Sequence, residues 1–284
     1  VDEVIESHMD MQIRDEHITI NKSNWLDKVS NLKAIAQELN IGLDSLVFVD
    51  DSSFEVNLIR EQLPEITVLQ VPKELYRYPK LLRKNMGLFY NLSFTAEDSN
   101  KIKMYRQQVK RETIKEKFTD IDDYLASLEL KITIFENDES IIPRMSQMSQ
   151  KTNQFNLTTE RYTEGDIKNF IYDPNSDLYA FSVSDKFGTS GVTGLSIVIT
   201  TGSTETVKID TLLMSCRVIG RNIEYAFMDY IIRKIKDKKI NFLKANYIKS
   251  PKNEQVKEFF DECLFRLIDK DDYVRNYILS INKY

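Results

Sequence analysis

Two cysteines in 284 residues are too few for a disulfide framework, and their scarcity suits a reducing compartment. Histidine is as rare: His8 and His17 both lie near the start of the chain, far in sequence from either thiol, so no Cys-His arrangement is legible. There is no basic excess. Lysine and arginine number 39 against 44 acidic residues, a net charge of −5, which removes general nucleic-acid binding and leaves any anionic ligand to a local site. No apolar run is long enough to cross a membrane and no signal peptide opens the chain, so we expect a cytoplasmic protein that engages no membrane. Internal repeats and low-complexity segments are missing too. The sequence opens on Val1 rather than Met, which leaves two alternatives, a piece of a longer protein or a chain whose first domain is a remnant.

What is present is enough for roughly two domains of ordinary size, with 42% hydrophobic residues to build their cores. Asp27 to Asn40 has helical spacing, with Val29, Leu32, Ile35, Ala36 and Leu39 on one face and Gly42 beyond its end. The continuously apolar Leu46-Val-Phe-Val49 then reads as a strand covered on both faces, ending in Asp50-Asp51. A helix over Phe54–Gln62 and a strand over Ile66–Val71 follow. This order is that of an open α/β sheet, whose ligands bind beyond the carboxyl ends of its strands, where Asp50 and Asp51 stand. Residues 96 to 117 form a charged helical stretch that we read as a connector. From about Leu128 the pattern becomes α+β: strands near 130–135, 178–184, 191–200, 207–214 and 242–248, helices near 140–151, 223–236 and 253–263, and closing strands. The expected divisions are 1–92, a helical connector over 93–127, and 128–284.

The most informative stretch is Thr211-Leu-Leu-Met-Ser-Cys-Arg-Val-Ile-Gly-Arg-Asn222. An apolar strand enters a turn, and the turn enters a helix whose Ile223, Ala226, Phe227, Tyr230, Ile231 and Ile235 recur at helical spacing. Unpaired amides and the positive end of the dipole at such a helix start favour a phosphate. Arg217 and Arg221 add charge, and Gly220 permits close approach of the backbone. The same surroundings favour a thiolate at Cys216, making it a candidate nucleophile. Read without that context, Cys216 is a small buried hydrophobe and the arginines are solvated. Cys263 sits among Val256, Phe259 and Phe260, and we assign it to the core.

Arg217-Val-Ile-Gly220-Arg-Asn222 resembles the signature of the N-acetyltransferase fold, with Asn222 in place of its small third residue; Asn tolerates the left-handed backbone such a turn needs. A wider likeness runs through Asn24-Trp25-Leu-Asp-Lys28, Val47-Phe-Val-Asp50-Asp51, Lys151-Thr-Asn-Gln-Phe-Asn-Leu-Thr-Thr159, Asp185-Lys-Phe-Gly188 and Ser215 to Arg221. Together these segments resemble the FkbH-like family, in which a haloacid-dehalogenase-type domain of subfamily IIIC is joined to an acetyltransferase-like domain. The resemblance implies an α/β chain: part of a haloacid-dehalogenase-like Rossmannoid domain, then an acetyltransferase-like α+β domain. It also implies an activity, the transfer of a glyceryl unit from 1,3-bisphosphoglycerate, a small phosphorylated three-carbon substrate, onto an acyl carrier protein as a thioester, for polyketide or tetronate building blocks.

Carried over by position, Lys28 steadies the phosphoryl group and Asp50 and Asp51 form the acidic pair, with Asp50 the first choice for Mg²⁺; a lysine and a carboxylate-held metal neutralise the charge of a phosphoryl transition state. The family's Asp-x-Asp-x-Thr nucleophile motif does not precede Lys28, so the resemblance implies no ordinary phosphatase activity, nor a complete Mg²⁺ site, for this chain alone. Cys216 is the residue implied to carry the glyceryl thioester before a phosphopantetheine thiol takes it. Asn153, Gln154, Asn156 and Thr158 are candidates for the acyl pocket, and they read equally as a capped turn. Asn222 belongs to the phosphate-binding turn, and Asn253, at a helix start, is a candidate for pantetheine contact. Two other functions fit the same residues: an acetyl-CoA-dependent N-acetyltransferase, which needs no thiol, and a non-catalytic module that docks an acidic carrier protein on Arg217, Arg221, Lys249 and Lys252.

Overall fold

The computed structural model describes residues 2–90 and 95–284. They fall into two compact units, residues 1–117 and 118–284. The boundary expected at 92/93 lies outside the described residues. The expected connector is shared out: Lys101–Lys115 counts with the first unit and Ile121–Leu128 with the second.

The first unit contains helices α1 (Asp2–Ser7), α2 (Lys28–Leu39), α3 (Ser53–Gln62), α4 (Tyr78–Lys84), α5 (Ala96–Ser99) and α6 (Lys101–Lys115), with strands β1 (Val47–Asp50) and β2 (Thr67–Gln70). The α2 ends follow from its sequence. Asp27 caps the start by accepting the Ser30 N–H, and Asn40 ends the helix in a left-handed conformation at φ 52°. Ser52 caps α3 in the same way through the Glu55 N–H. The two strands pair in parallel, Val47 opposite Thr67 and Asp50 opposite Gln70. Val29, Ile59, Leu63 and Ile66 form the core between them and the helices.

The second unit is a mixed sheet covered on both faces. It comprises α7 (Ile121–Leu128), β3 (Lys131–Glu136), α8 (Ile142–Lys151), β4 (Phe155–Asn156), α9 (Glu164–Tyr172), β5 (Ser176–Asp185), β6 (Gly188–Thr201), β7 (Ser203–Met214), α10 (Ile223–Asp237), β8 (Phe242–Ile248), α11 (Phe259–Glu262), β9 (Arg266–Lys270) and β10 (Val274–Ser280). The strands lie in the order β3-β5-β6-β7-β8-β10-β9, with β4 against β7. Alternation along β5 shows the layering. Tyr179, Phe181 and Val183 join the core built with α10 and α11, while Leu178 and Ala180 join the one built with α8 and α9.

Two irregularities place the turn after β7. Between Ile197 and Val198 of β6 the partner on β7 jumps from Thr211 to Ile209, so Asp210 is an extra, bulged residue. The bulge changes the phase of the strand: Val207 and Ile209 face the α10 core before it, and Leu212 and Met214 face the same core after it. The second irregularity is the parting of β7 from β8. This pair is parallel but meets only from Thr206–Phe242 to Lys208–Lys244. Beyond that point β4 enters the gap. Phe155 and Asn156 pair with Met214 and Leu213, Leu157 donates to the Leu212 carbonyl at 3.1 Å, and Ile248 donates to the Leu157 carbonyl at 2.8 Å.

Gly194 marks a further close approach, because a Cβ there would lie 1.8 Å from the Phe181 ring, which packs against Phe227. Gly194→Ala is expected to destabilise the protein by about 1–3 kcal/mol, since the ring has to leave its place. Chemical denaturation checks this, and an unchanged midpoint contradicts it.

Candidate functional site

Cys216 is the first residue of a short 3₁₀ turn, Cys216–Val218, that leaves the fully buried end of β7. The turn is pinned by the Ser215 N–H, which donates to the Thr193 carbonyl at 2.7 Å, and is closed by the Val218 and Ile219 amides bonding to the Ser215 and Cys216 carbonyls. Cys216 is half-buried, whereas Cys263 is buried. Burial, together with the charges of Glu262 and Glu224, pushes the Cys263 thiol up to about 12, so it is un-ionised at neutral pH. The two cysteines therefore differ in burial, and Cys263 belongs to the α10–α11 core as its apolar neighbours suggest.

Past the thiol, Gly220 has φ 80° and Asn222 φ 57°, both left-handed and both exposed. Nothing lies within 4 Å of where a Gly220 Cβ would stand, so the turn faces open space. The two arginines behave differently. Arg217 is half-buried and its Nε donates to the Ser215 hydroxyl at 3.3 Å. Arg221 is buried: its guanidinium lies 3.7 Å from the enclosed carboxylate of Asp185 and donates to the Arg217 carbonyl at 2.8 Å. Asp185 also accepts the Phe187 and Gly188 amides, tying the β5–β6 hairpin to the turn. Glu224, in the first turn of α10, has its pKa raised, with burial the largest cause; the amides of Glu224 and Ile223 oppose the rise, and the Glu262 charge adds to it. The backbone of the turn is thus open at Gly220, while Arg221 is turned inward.

The residues of the expected acyl pocket lie in and beside β4. Asn156 is fully buried: its amide nitrogen reaches the Thr152 carbonyl, and its side-chain oxygen accepts the Thr159 N–H at 2.9 Å and the Thr158 N–H at 3.4 Å. Thr158 shares a hydrogen bond with Thr211 at 2.9 Å, and Asn153 accepts from Arg161. Gln154 is half-buried in the same stretch. Asn253 is buried and engaged at both ends. It donates to the Asn156 and Ile248 carbonyls at 2.9 Å and accepts the Ser250 N–H and the Tyr247 hydroxyl. Asn156, Thr158 and Asn253 hold β4 in the gap between β7 and β8, so their polar groups are spent on the chain itself.

In the first unit the structure brings Lys28 and Asp50 into an ion pair. Burial alone pushes the Asp50 carboxyl up, but the Lys28 hydrogen bond, the Ser52 amide and the Lys28 charge hold it below the usual carboxylate range. Asp51 is exposed beside them. Both Asp50 oxygens are taken, one by Lys28 and the other by the Ser52 N–H at 2.8 Å. Among the described residues no group of three or more His, Cys, Asp or Glu is placed to hold a metal ion, so these residues do not by themselves fit Mg²⁺.

Two groups that fix the turn were not legible in the sequence: the carbonyl of Thr193 and the carboxylate of Asp185. Nothing local in Asp185-Lys-Phe-Gly188 reveals that its acid reaches across to Arg221.

No family model matches the chain, and no curated protein matches it. Among solved structures it is similar over 53% of its length to the ribosomal-protein-S18-alanine N-acetyltransferase of Escherichia coli, at 10% identity and TM-score 0.41, covering 94% of that chain. It is similar over 53% to an N-acetyltransferase of Staphylococcus aureus Mu50, at 14% identity and TM-score 0.42, covering 99% of it. The spermidine/spermine N-acetyltransferase of Vibrio cholerae is similar over 55%, at 11% identity and TM-score 0.39, with 95% covered. No helix among the described residues is long and apolar enough to cross a membrane.

The unequal arginines give a test. Arg221→Ala leaves the Asp185 carboxylate buried without its cation and is expected to cost about 3–5 kcal/mol, whereas Arg217→Ala is expected to cost under about 1 kcal/mol. Comparable unfolding midpoints for the two variants contradict the assignment.

Proposed function

We propose that the second unit is an acyltransferase that passes an acyl group through Cys216. The observation that carries this reading is the position of Cys216, a half-buried residue at the head of a turn whose backbone is fixed on both sides, by Thr193 behind it and by the Arg221–Asp185 pair ahead of it. In the forward direction the Cys216 sulfur, as thiolate, bonds to the acyl carbon of an activated donor while the bond to the leaving group breaks. In the second step a phosphopantetheine thiol gives up its proton to solvent, its sulfur bonds to the acyl carbon, and the bond to Cys216 breaks so that its sulfur leaves as the thiolate. Arg217 and the open backbone at Gly220 would hold the phosphate of that arm; the arm itself supplies the accepting thiol. With the FkbH-like resemblance, the acyl group is glyceryl and the acceptor an acyl carrier protein of polyketide- or tetronate-type biosynthesis. The Lys28–Asp50 pair is then the counterpart of a phosphoryl-binding site, with Mg²⁺ as its cofactor only in a more complete domain.

A second reading, acetyl transfer from acetyl-CoA to an amine, draws support from the turn itself. Gly220 and Asn222 are both left-handed ahead of α10, a helix of 15 residues, which is a backbone suited to a phosphate whatever the fate of the thiol.

The two readings separate at Cys216. Thioester exchange runs in either direction, so the chain incubated with a glyceryl thioester of pantetheine is expected to gain one glyceryl group, located at Cys216 by peptide mass mapping. Cys263→Ala should retain the adduct and Cys216→Ala should lose it. Acetyl transfer from acetyl-CoA to an amine that persists in Cys216→Ala, with no adduct in the unsubstituted protein, defeats the first reading in favour of the second.

A further inference from the structure

Charge in this chain is segregated. Between positions 73 and 96 stand five cations, Lys73, Arg77, Lys80, Arg83 and Lys84, against a single anion, Glu74, although the whole chain carries −5. The fold gathers four of the five. Lys73, Arg77, Lys80 and Lys84 line one groove of about 910 Å³ together with Asp51, Ser53, Tyr76 and the segment Gln70–Pro72. Arg77, Lys80 and Lys84 are spaced three and four residues apart along one helical run, so they share a face over about 10 Å. The groove opens where β1 ends at Asp50 and β2 at Gln70, beyond the carboxyl ends of two parallel strands, the place where open sheets take their ligands.

Among the described residues the lysines of this set are poorly answered, while Arg77 also donates to the Tyr76 hydroxyl at 3.2 Å. Arg77 lies 3.8 Å from Glu74, and none of the ion pairs among the described residues involves Lys73, Lys80 or Lys84. Asp51, on the wall, is the one carboxylate lining the groove. Four cations held on one concave surface repel one another, and a bound anion with charges spread along its length relieves that repulsion. The apolar flank, Val71, Pro72, Leu81 and the exposed ring of Tyr76, gives such a ligand a non-phosphate part to rest on.

The geometry points to a binding site in this groove for a soluble small molecule that carries two or more phosphates. It lies wholly in the first unit and is independent of any chemistry at Cys216. The breadth of the cationic face favours an extended polyphosphate over a single orthophosphate, because one phosphate cannot reach all four side chains.

Titration calorimetry of the full chain with tripolyphosphate at low ionic strength tests the inference. Saturable one-to-one binding is expected, at least about tenfold tighter than with orthophosphate, and weakened about tenfold or more by Lys80→Ala/Lys84→Ala. Lys33→Ala, on α2 away from the groove, should bind as the unsubstituted protein does. All of these side chains are exposed, so the variants should fold, which circular dichroism verifies. Absence of binding, equal affinity in the double variant, or binding confined to vesicles of anionic lipid would each overturn the proposal.

Discussion

The second unit depends on how the gap between β7 and β8 is closed. Two parallel strands that meet over three residue pairs and then part leave backbone amides and carbonyls exposed inside a sheet, a cost the fold cannot carry unless something bonds to them. Phe155–Leu157 does so, pairing with β7 on one side and receiving the Ile248 amide on the other, and the Asn253 amide fastens it to β8. Because β7 is held to its last residue, the chain leaves the sheet at a fixed point. Cys216 stands at that point.

The bulge at Asp210 works with this constraint. Without the extra residue the side chains from Leu212 onward would exchange faces, and Met214 would point away from the α10 core. The bulged residue is not wasted: the Tyr162 hydroxyl donates to its carboxylate, and this bond, with burial foremost, raises the tyrosine pKa well above the ordinary value. A backbone irregularity, a buried polar contact and the direction of the turn are thus one feature viewed at three scales.

Much of this was legible in the sequence. The α2 limits follow from Asp27 and Asn40, and the span Phe242–Ile248 and the start of α10 from apolar periodicity, because each is settled by neighbours in the chain. The Cys263 environment was readable for the same reason. What was not legible depends on contacts across long sequence separations. Asn156 and Asn253 read as candidates for a ligand, yet the Asn253 side-chain amide, 97 positions away, donates to the Asn156 carbonyl. Arg221 read as a phosphate ligand; its partner Asp185 lies at the end of β5 and draws it inward. Polar residues beside a glycine turn look alike in sequence whether they face a ligand or a strand. Only topology separates the two cases.

The central claim is that the fold presents one thiol and seals the other. Alkylation of the native protein by iodoacetamide, followed over time with peptide mass mapping, measures this directly. The account predicts that Cys216 is modified under native conditions while Cys263 reacts only once the protein unfolds. Modification of Cys263 at a rate equal to or above that of Cys216 in the folded protein would contradict it.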